Sequence, residues 1–242
     1  MAANSNRIAR EKIYTTFQCT PPFLVCNIKQ ALGIDGEVPS LADRERNFRL
    51  LVENNFSGTG ILENAPSEWP EARRNERTRA FYFLRRYALS SYGGVMVARV
   101  LADNRTHTTE DNRFRIGIKD DDQAQGGFNF ILFPSNFPAL ITFPGSTQLI
   151  DPLAIIHHEF GHTRLDARNR AVHLFSLNDE RLVVIHHENP VRMLHGMEPR
   201  YTYYHQTFGT INIITGEIQR GELYTFSPSN PAVLVPPGRG GI

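Results

Sequence analysis

The chain has 242 residues, of which 40% are hydrophobic and 21% charged, a composition typical of a folded globular protein rather than a disordered one. Its 26 basic and 25 acidic side chains leave a formal net charge of +1, so charge predicts neither nucleic-acid binding nor attraction to an anionic membrane. No apolar run approaches the roughly 20 residues that cross a bilayer, and the first residues lack the apolar segment of a signal peptide.

This length predicts a single catalytic domain, 1–242, with an irregular lead-in over residues 1–38, helices and a sheet over 39–150, and the chemistry-bearing part over 151–242. In the lead-in, Cys19 and Cys26 are either a disulfide or two buried thiols. Ser40 is placed to cap a helix through LADRERNFRLLVENN. A second helix is predicted from about Pro70 to Leu89.

Short runs rich in Val, Ile and Phe follow Gly94 and are separated by Asn, Asp, Gly and Pro clusters. They are VMVARVLA, RFRIGIKD, FNFILF and ALITF. This texture predicts strands of one mixed sheet. FNFILF or ALITF could also offer a free edge along which an extended peptide adds by main-chain hydrogen bonds.

Two helices are predicted after these strands. Asp151 and Pro152 suit the N-cap and the first position of a helix through LAIIHHEFGHTRLDARNR. The next helix begins near Asn178 or Asp179 and runs through ERLVVIHHENPVRML, where Pro190 predicts a kink or a break. YTYYHQTF, TINIIT and GELYTF predict a small sheet or hairpins, and PPGRGGI a flexible tail. The predicted class is therefore α+β.

The helix after Asp151 contains HEFGH, a form of the H-E-x-x-H pattern. His158 and His162 are four residues apart on one helix face, so they can present two nitrogens to a single Zn²⁺ ion. Glu159 reaches the rim of that position and can act as the general base for a metal-activated water. The alternative is an ordinary helix with exposed, inert histidines.

The third zinc ligand is expected downstream of His162. A metzincin extension would need glycine and histidine where the chain has Leu165 and Arg168, so that subclass is excluded. Glu188 is the predicted ligand, because gluzincin-type sites take a glutamate from the next helix; its alternative is an i,i+4 ion pair with Arg192. The competing candidates for this ligand are Glu180, His173, His186 and His187.

Hydrolysis of a peptide also needs donors for the oxyanion. Tyr204 and His195 are the predicted catalytic donors, and the other candidates are Tyr201, Tyr203 and His205. Asp166 is either an outer carboxylate that fixes an imidazole or a solvated group. His157 lies off the ligand face and is predicted to be structural.

Two further motifs follow HEFGH. E-N-x-x-R is met by Glu188, Asn189 and Arg192, and P-R-x-x-Y by Pro199, Arg200 and Tyr203. With these motifs the chain resembles the C-terminal metallopeptidase domain of certain VgrG spike proteins of bacterial type VI secretion. More broadly it is similar to the zincin-type effector peptidases that bacteria inject.

This resemblance implies a zincin-like fold in which a mixed sheet precedes the active-site helix and a second ligand-bearing helix. It also implies a zinc-dependent toxin, with Met1 as an artificial start after an upstream spike domain and delivery through the secretion apparatus instead of a cleavable signal. The expected substrate is a protein or peptide in a target-cell periplasm or host cytoplasm, and a periplasmic toxin would need an immunity protein. The alternatives are a zinc amidase that cuts peptidoglycan and a non-catalytic interaction module.

Overall fold

A computed structural model of the chain describes residues 28–55, 71–109, 111–119, 124–134, 140–143, 146–166, 177–205, 209–219, 225–227 and 230–235. Within these residues the protein is α+β, with helices and several small sheets, as the sequence predicts. Cys19, Cys26, most of the lead-in and the PPGRGGI tail lie outside the described residues.

The described chain begins with helices α1 (Ile28–Ala31), α2 (Leu41–Asn55), α3 (Glu71–Leu89) and α4 (Ser91–Thr106). The predicted cap of α2 is confirmed, because the Ser40 hydroxyl accepts a hydrogen bond from the backbone N–H of Asp43 at 3.1 Å. Helices α2, α3 and α4 pack on one another. Leu51, Leu84 and Val100 are fully buried between them.

The VMVARVLA run, predicted to be a strand, is part of helix α4. Its buried residues, Met96, Val97 and Val100, recur at helical spacing rather than alternating, so one face of a helix packs on α2 and α3. Ser90 caps this helix by accepting from the backbone N–H of Gly93 at 3.0 Å. Tertiary packing therefore overrides the strand preference of valine.

The strands form three small sheets instead of the predicted single sheet. The first contains β1 (Arg115–Lys119), β2 (Gln125–Gly127) and β3 (Phe130–Pro134), in the order β1-β3-β2, with β1 parallel and β2 antiparallel to β3. ALITF belongs to a second sheet of β4 (Leu140–Phe143), β5 (Ser146–Leu149), β9 (Thr225–Ser227) and β10 (Asn230–Val235). The third sheet contains β6 (Thr202–His205), β7 (Gly209–Asn212) and β8 (Ile218–Gln219).

Helix α5 (Pro152–Gly161) crosses the middle of the described structure, in contact with α3 and with strand β2. It ends earlier than predicted, because the chain turns at His162; ARNR lies outside the described residues. Phe160 anchors the helix: its ring is fully buried and stacks on Tyr87 and on Phe114 with centroids 5.6 and 6.0 Å apart. The helix is thus fixed to the core by the face that carries Phe160.

A long bent helix packs on α5 and consists of α6 (Leu177–Val183), a π-helical segment (Val184–Glu188) and α7 (Asn189–Leu194). Gly196, with a φ of 74°, follows the end of this helix. Among the helices that the structure describes, none combines the length and the apolar character needed to span a membrane.

Candidate metal centre

The predicted N-terminal signals of α5 are confirmed. Asp151 accepts a hydrogen bond from the backbone N–H of Leu153 at 2.9 Å, and Pro152 occupies the first turn. The second Asp151 oxygen pairs with Nδ1 of His195, whose Nε2 lies 3.2 Å from the Tyr92 hydroxyl. The start of the helix is therefore held by its own cap and by the end of α7.

His195 does not lie where the sequence prediction placed it. It contacts the N-cap of α5, whereas His158 is about two turns, or roughly 10 Å, further along the helix. His195 therefore contacts Asp151 and Tyr92 at the helix start and lies outside the group formed by His158, His162 and Glu180.

Replacing Asp151 by alanine tests this cap. Asp151→Ala is expected to lower the free energy of unfolding by about 1–2 kcal/mol, because it removes an N-cap acceptor that is also paired with His195. Denaturant unfolding measures the change, with Glu45→Ala on the exposed face of α2 as the control. An Asp151→Ala protein as stable as the control would show that the cap contributes nothing.

Three side-chain atoms converge at the other end of α5. Nε2 of His158 and Nε2 of His162 are 3.2 Å apart, and Oε2 of Glu180 on α6 lies 3.2 and 3.4 Å from them. All three residues are buried, and together they form a group that could hold a metal ion. His158 and His162 meet as predicted, because they are one helical turn apart.

These separations suit a metal. A tetrahedral ion with bonds of 2.0–2.1 Å would set its ligand atoms about 3.3 Å apart. Oε2 of Glu180 is buried and accepts no well-formed hydrogen bond from the residues that the structure describes. Two imidazole nitrogens and one carboxylate oxygen are also the donor set of catalytic zinc sites, which leave a fourth position open.

Glu188 differs from its predicted role as third ligand. Its Oε2 lies 3.1 Å from Nδ1 of His158, the nitrogen that faces away from Glu180 and His162. The carboxylate also accepts hydrogen bonds from Nη1 of Arg200 at 3.1 and 3.3 Å. Glu188 therefore contacts the His158 ring on the side opposite Glu180, as carboxylates commonly do for metal-binding histidines, and Glu180 is the carboxylate of the group that could hold a metal ion.

The charges around His158 are coupled. Burial opposes protonation of its ring, but the adjacent carboxylates of Glu180 and Glu188 raise the pKa of His158 to about 10. Burial would raise the pKa of Glu188, yet the Arg200 guanidinium and the His158 ring outweigh it and hold this pKa at about 2. The pKa of Glu180 is likewise lowered, because the two imidazoles outweigh its burial. A cation bound at this group would compete with a proton for His158.

Glu159 lies beside the group, on the turn between the two histidines. It is buried, and burial raises the pKa of its carboxyl although His158 and His162 oppose the shift. Strand β2 passes close by: a Cβ on Gly126 would come within 3.1 Å of Oε2 of Glu159 and 2.5 Å of its backbone oxygen. Only glycine lets the strand approach Glu159 so closely.

Tyr203, one residue before the predicted Tyr204, faces this centre. Its ring lies parallel to that of His158, with centroids 5.8 Å apart and an interplanar angle of 5°. Burial, followed by the nearby Glu180 carboxylate, raises the pKa of the Tyr203 phenol well above its usual value, so the group stays protonated. The side chain of Tyr204 lies outside what the structure describes.

The E-N-x-x-R and P-R-x-x-Y motifs contact each other. The Asn189 amide bonds both the backbone N–H and the carbonyl of Arg200, at 2.6 and 3.0 Å. Arg200 in turn lies 4.6 Å from the Tyr203 ring centroid and pairs with Glu188. Arg192 donates hydrogen bonds to the backbone carbonyl oxygens of Leu149 and Glu198. The two motifs therefore form one buried support beneath Tyr203 and His158.

The remaining candidates that the structure describes lie outside the three-residue group. Asp166 does bind an imidazole, but it is that of His187, whose Nε2 is 3.1 Å from Oδ2. The His187 ring packs against Gly161, where a Cβ would come within 2.7 Å of it. His157 is structural as predicted, since its Nδ1 meets the Tyr87 hydroxyl at 2.7 Å in the core. His186 lies outside the three-residue group, and His173 outside the described residues.

Comparison with known proteins gives no match to any family model, to any curated protein or to any solved structure. The chemistry of the centre is therefore inferred from the atoms of this chain.

Proposed function

We propose that the protein is a zinc-dependent peptidase with a zincin-like arrangement, in which His158, His162 and Glu180 hold the metal and Glu159 is the general base. The observation that carries this proposal is the convergence of three ligand atoms at 3.2–3.4 Å with a buried carboxyl beside them. When bound, zinc supplies Lewis acidity and makes water a usable nucleophile near neutral pH.

Glu159 takes the proton of the attacking water in this mechanism and delivers it to the leaving amine. A base works best when its pKa lies near the working pH, and burial raises the pKa of Glu159 in that direction. The proton balance closes without another acid, because the proton removed from the water is the one that the amine receives. Glu188 is ill suited to this step, since its ionised carboxylate is already engaged by His158 and Arg200.

Tyr203 is the proposed donor to the oxyanion. It stays protonated and stands over the His158 ring, at the border of the centre. The Arg200 guanidinium beneath its ring and the Glu188 carboxylate fix this position. A preorganised donor of this kind lowers the barrier because it acts only as charge develops on the carbonyl oxygen.

Strand β2 supports a peptide as the substrate class. It is the last strand in the order β1-β3-β2, and no described strand pairs with its outer edge. Gly126 brings one face of this strand against Glu159, so an extended main chain that paired with the outer edge of β2 would run close to the proposed base. A polypeptide can add to such an edge by backbone hydrogen bonds alone.

Tyr203→Phe tests the oxyanion donor. It is expected to lower kcat by about 10²–10³-fold, because one preorganised donor is lost, and to leave zinc affinity within about twofold of wild type. Steady-state kinetics on a fluorogenic peptide and zinc titration measure the two quantities. Tyr82→Phe, on the exposed face of α3, is the matched control. An undiminished kcat would exclude Tyr203 from the mechanism.

Digestion of a random peptide mixture tests the proposed activity. The zinc-loaded protein is expected to produce new peptide termini that mass spectrometry detects, and a chelator should abolish them. Purified peptidoglycan sacculi provide a parallel substrate. Release of fragments from sacculi without cleavage of the peptides would indicate an amidase instead of a peptidase. If neither substrate gave a zinc-dependent product, the protein would not be a hydrolase of these substrates.

A further inference from the structure

The helix that carries Glu180 and Glu188 is not regular. It is α-helical over Leu177–Val183 and Asn189–Leu194, and π-helical over Val184–Glu188 in between. The backbone N–H of Asn189 bonds the carbonyl of Val184, five residues back instead of four. Glu180 precedes the π-helical segment, and Glu188 is its last residue.

Both carboxylates nevertheless reach one imidazole. Oε2 of Glu180 lies 3.2 Å from Nε2 of His158, and Oε2 of Glu188 lies 3.1 Å from Nδ1 of the same ring. In a regular α-helix, residues eight apart are rotated by about 80° around the axis. A π turn absorbs about one extra residue, so this pair behaves as residues seven apart, which share a helix face to within about 20°.

Pro190 is in the position that explains the wide turn. It has no N–H, and in a regular α-helix its ring would clash with the carbonyl four residues earlier, that of His186. Widening the preceding turn moves that carbonyl away, which is a common origin of a local helix distortion. Pro190 is buried in α7, so it cannot relieve the clash by turning toward solvent.

We propose that Pro190 is a positioning residue of the metal centre. By stabilising the π turn, it keeps Glu180 facing the zinc position while Glu188 contacts Nδ1 of the same histidine. This inference rests on the proposed zinc site and adds that the π turn determines which helix face Glu180 lies on. Arg192 and Asn189 anchor α7 through Leu149, Glu198 and Arg200. A return to regular α-helix would therefore turn α6, and Glu180 with it, away from the two histidines.

Pro190→Ala restores the missing N–H and removes the ring. The variant is expected to bind zinc at least about tenfold more weakly than wild type. Its thermal unfolding midpoint in the presence of a chelator should stay near that of wild type, because better helix propensity offsets the lost ring contacts. Leu182→Ala is the control, since Leu182 is 48% exposed on the same helix and should leave zinc affinity unchanged.

A double-mutant cycle separates positioning from packing. If Pro190 acts through Glu180, the change Pro190→Ala should cost almost nothing in zinc affinity once Glu180→Gln is already present. An equal loss in both backgrounds would overturn the inference, and so would loss of zinc together with loss of apo stability. Full zinc affinity in Pro190→Ala would overturn this inference but not the proposed function. Absence of zinc binding in the wild type would overturn both.

Discussion

Glu159→Gln is expected to lower kcat by about 10²–10⁴-fold while the protein still binds one zinc ion per chain. Glutamine keeps the shape of the side chain but cannot accept and return the proton of the attacking water. The ligand atoms of His158, His162 and Glu180 do not include Glu159, so metal affinity should change little. Kinetics on a fluorogenic peptide and elemental analysis of the same sample measure both effects.

Glu217→Gln is the matched control, because it makes the same chemical change at an exposed position just before β8. It should retain wild-type kcat. Hydrolysis by the zinc-loaded Glu159→Gln protein at the wild-type rate would rule out Glu159 as the base and would leave the buried carboxyl without a catalytic role.

We expect Glu180→Gln to lose more zinc affinity than Glu188→Gln, and Glu188→Gln to lose more stability than Glu180→Gln. Zinc affinity should fall by more than about 100-fold in Glu180→Gln, which loses a charged ligand, and by about 10–100-fold in Glu188→Gln, which loses an orienting group. Stability should fall further in Glu188→Gln, by up to about 3–5 kcal/mol, because the change leaves the buried Arg200 without its anionic partner.

Competition against a chromophoric chelator measures zinc affinity, and denaturant unfolding of the metal-free proteins measures stability. A larger loss of zinc affinity in Glu188→Gln than in Glu180→Gln would restore the ligand that the sequence predicts. Equal losses would indicate that both carboxylates reach the metal.

The HEFGH helix could be predicted in most of its detail. Its cap and first-turn proline are local signals, and the meeting of His158 and His162 follows from one helical turn. Its end was placed too late, because arginines and a leucine after His162 continue a helical composition. The turn there depends on contacts from other elements, such as the bond from the Arg164 backbone N–H to the Phe128 carbonyl.

The third ligand could not be chosen from spacing alone. Glu180 and Glu188 are both on the helix after His162, and a regular helix would let only one of them face the site. The π turn at Val184–Glu188 changes this register, and its one signal in the sequence is Pro190. The same limit applies to Tyr203, because the sequence does not say which residues of YTYYH lie beside His158.

The early strands show a different limit. VMVARVLA has the composition of a strand, yet its burial is helical because α2 and α3 cover one face of it. RFRIGIKD and FNFILF do pair, and ALITF joins another sheet through the distant strand β10. Such long-range pairings have no local signal.

The position of bound zinc decides whether His158, His162 and Glu180 are the metal ligands. Crystals of the zinc-loaded protein, measured at the zinc absorption edge, should show one anomalous peak about 2.0–2.2 Å from Nε2 of His158, Nε2 of His162 and a carboxylate oxygen of Glu180. A peak bound by Glu188 in place of Glu180, or no peak among these three side chains at full zinc loading, would contradict the proposed centre.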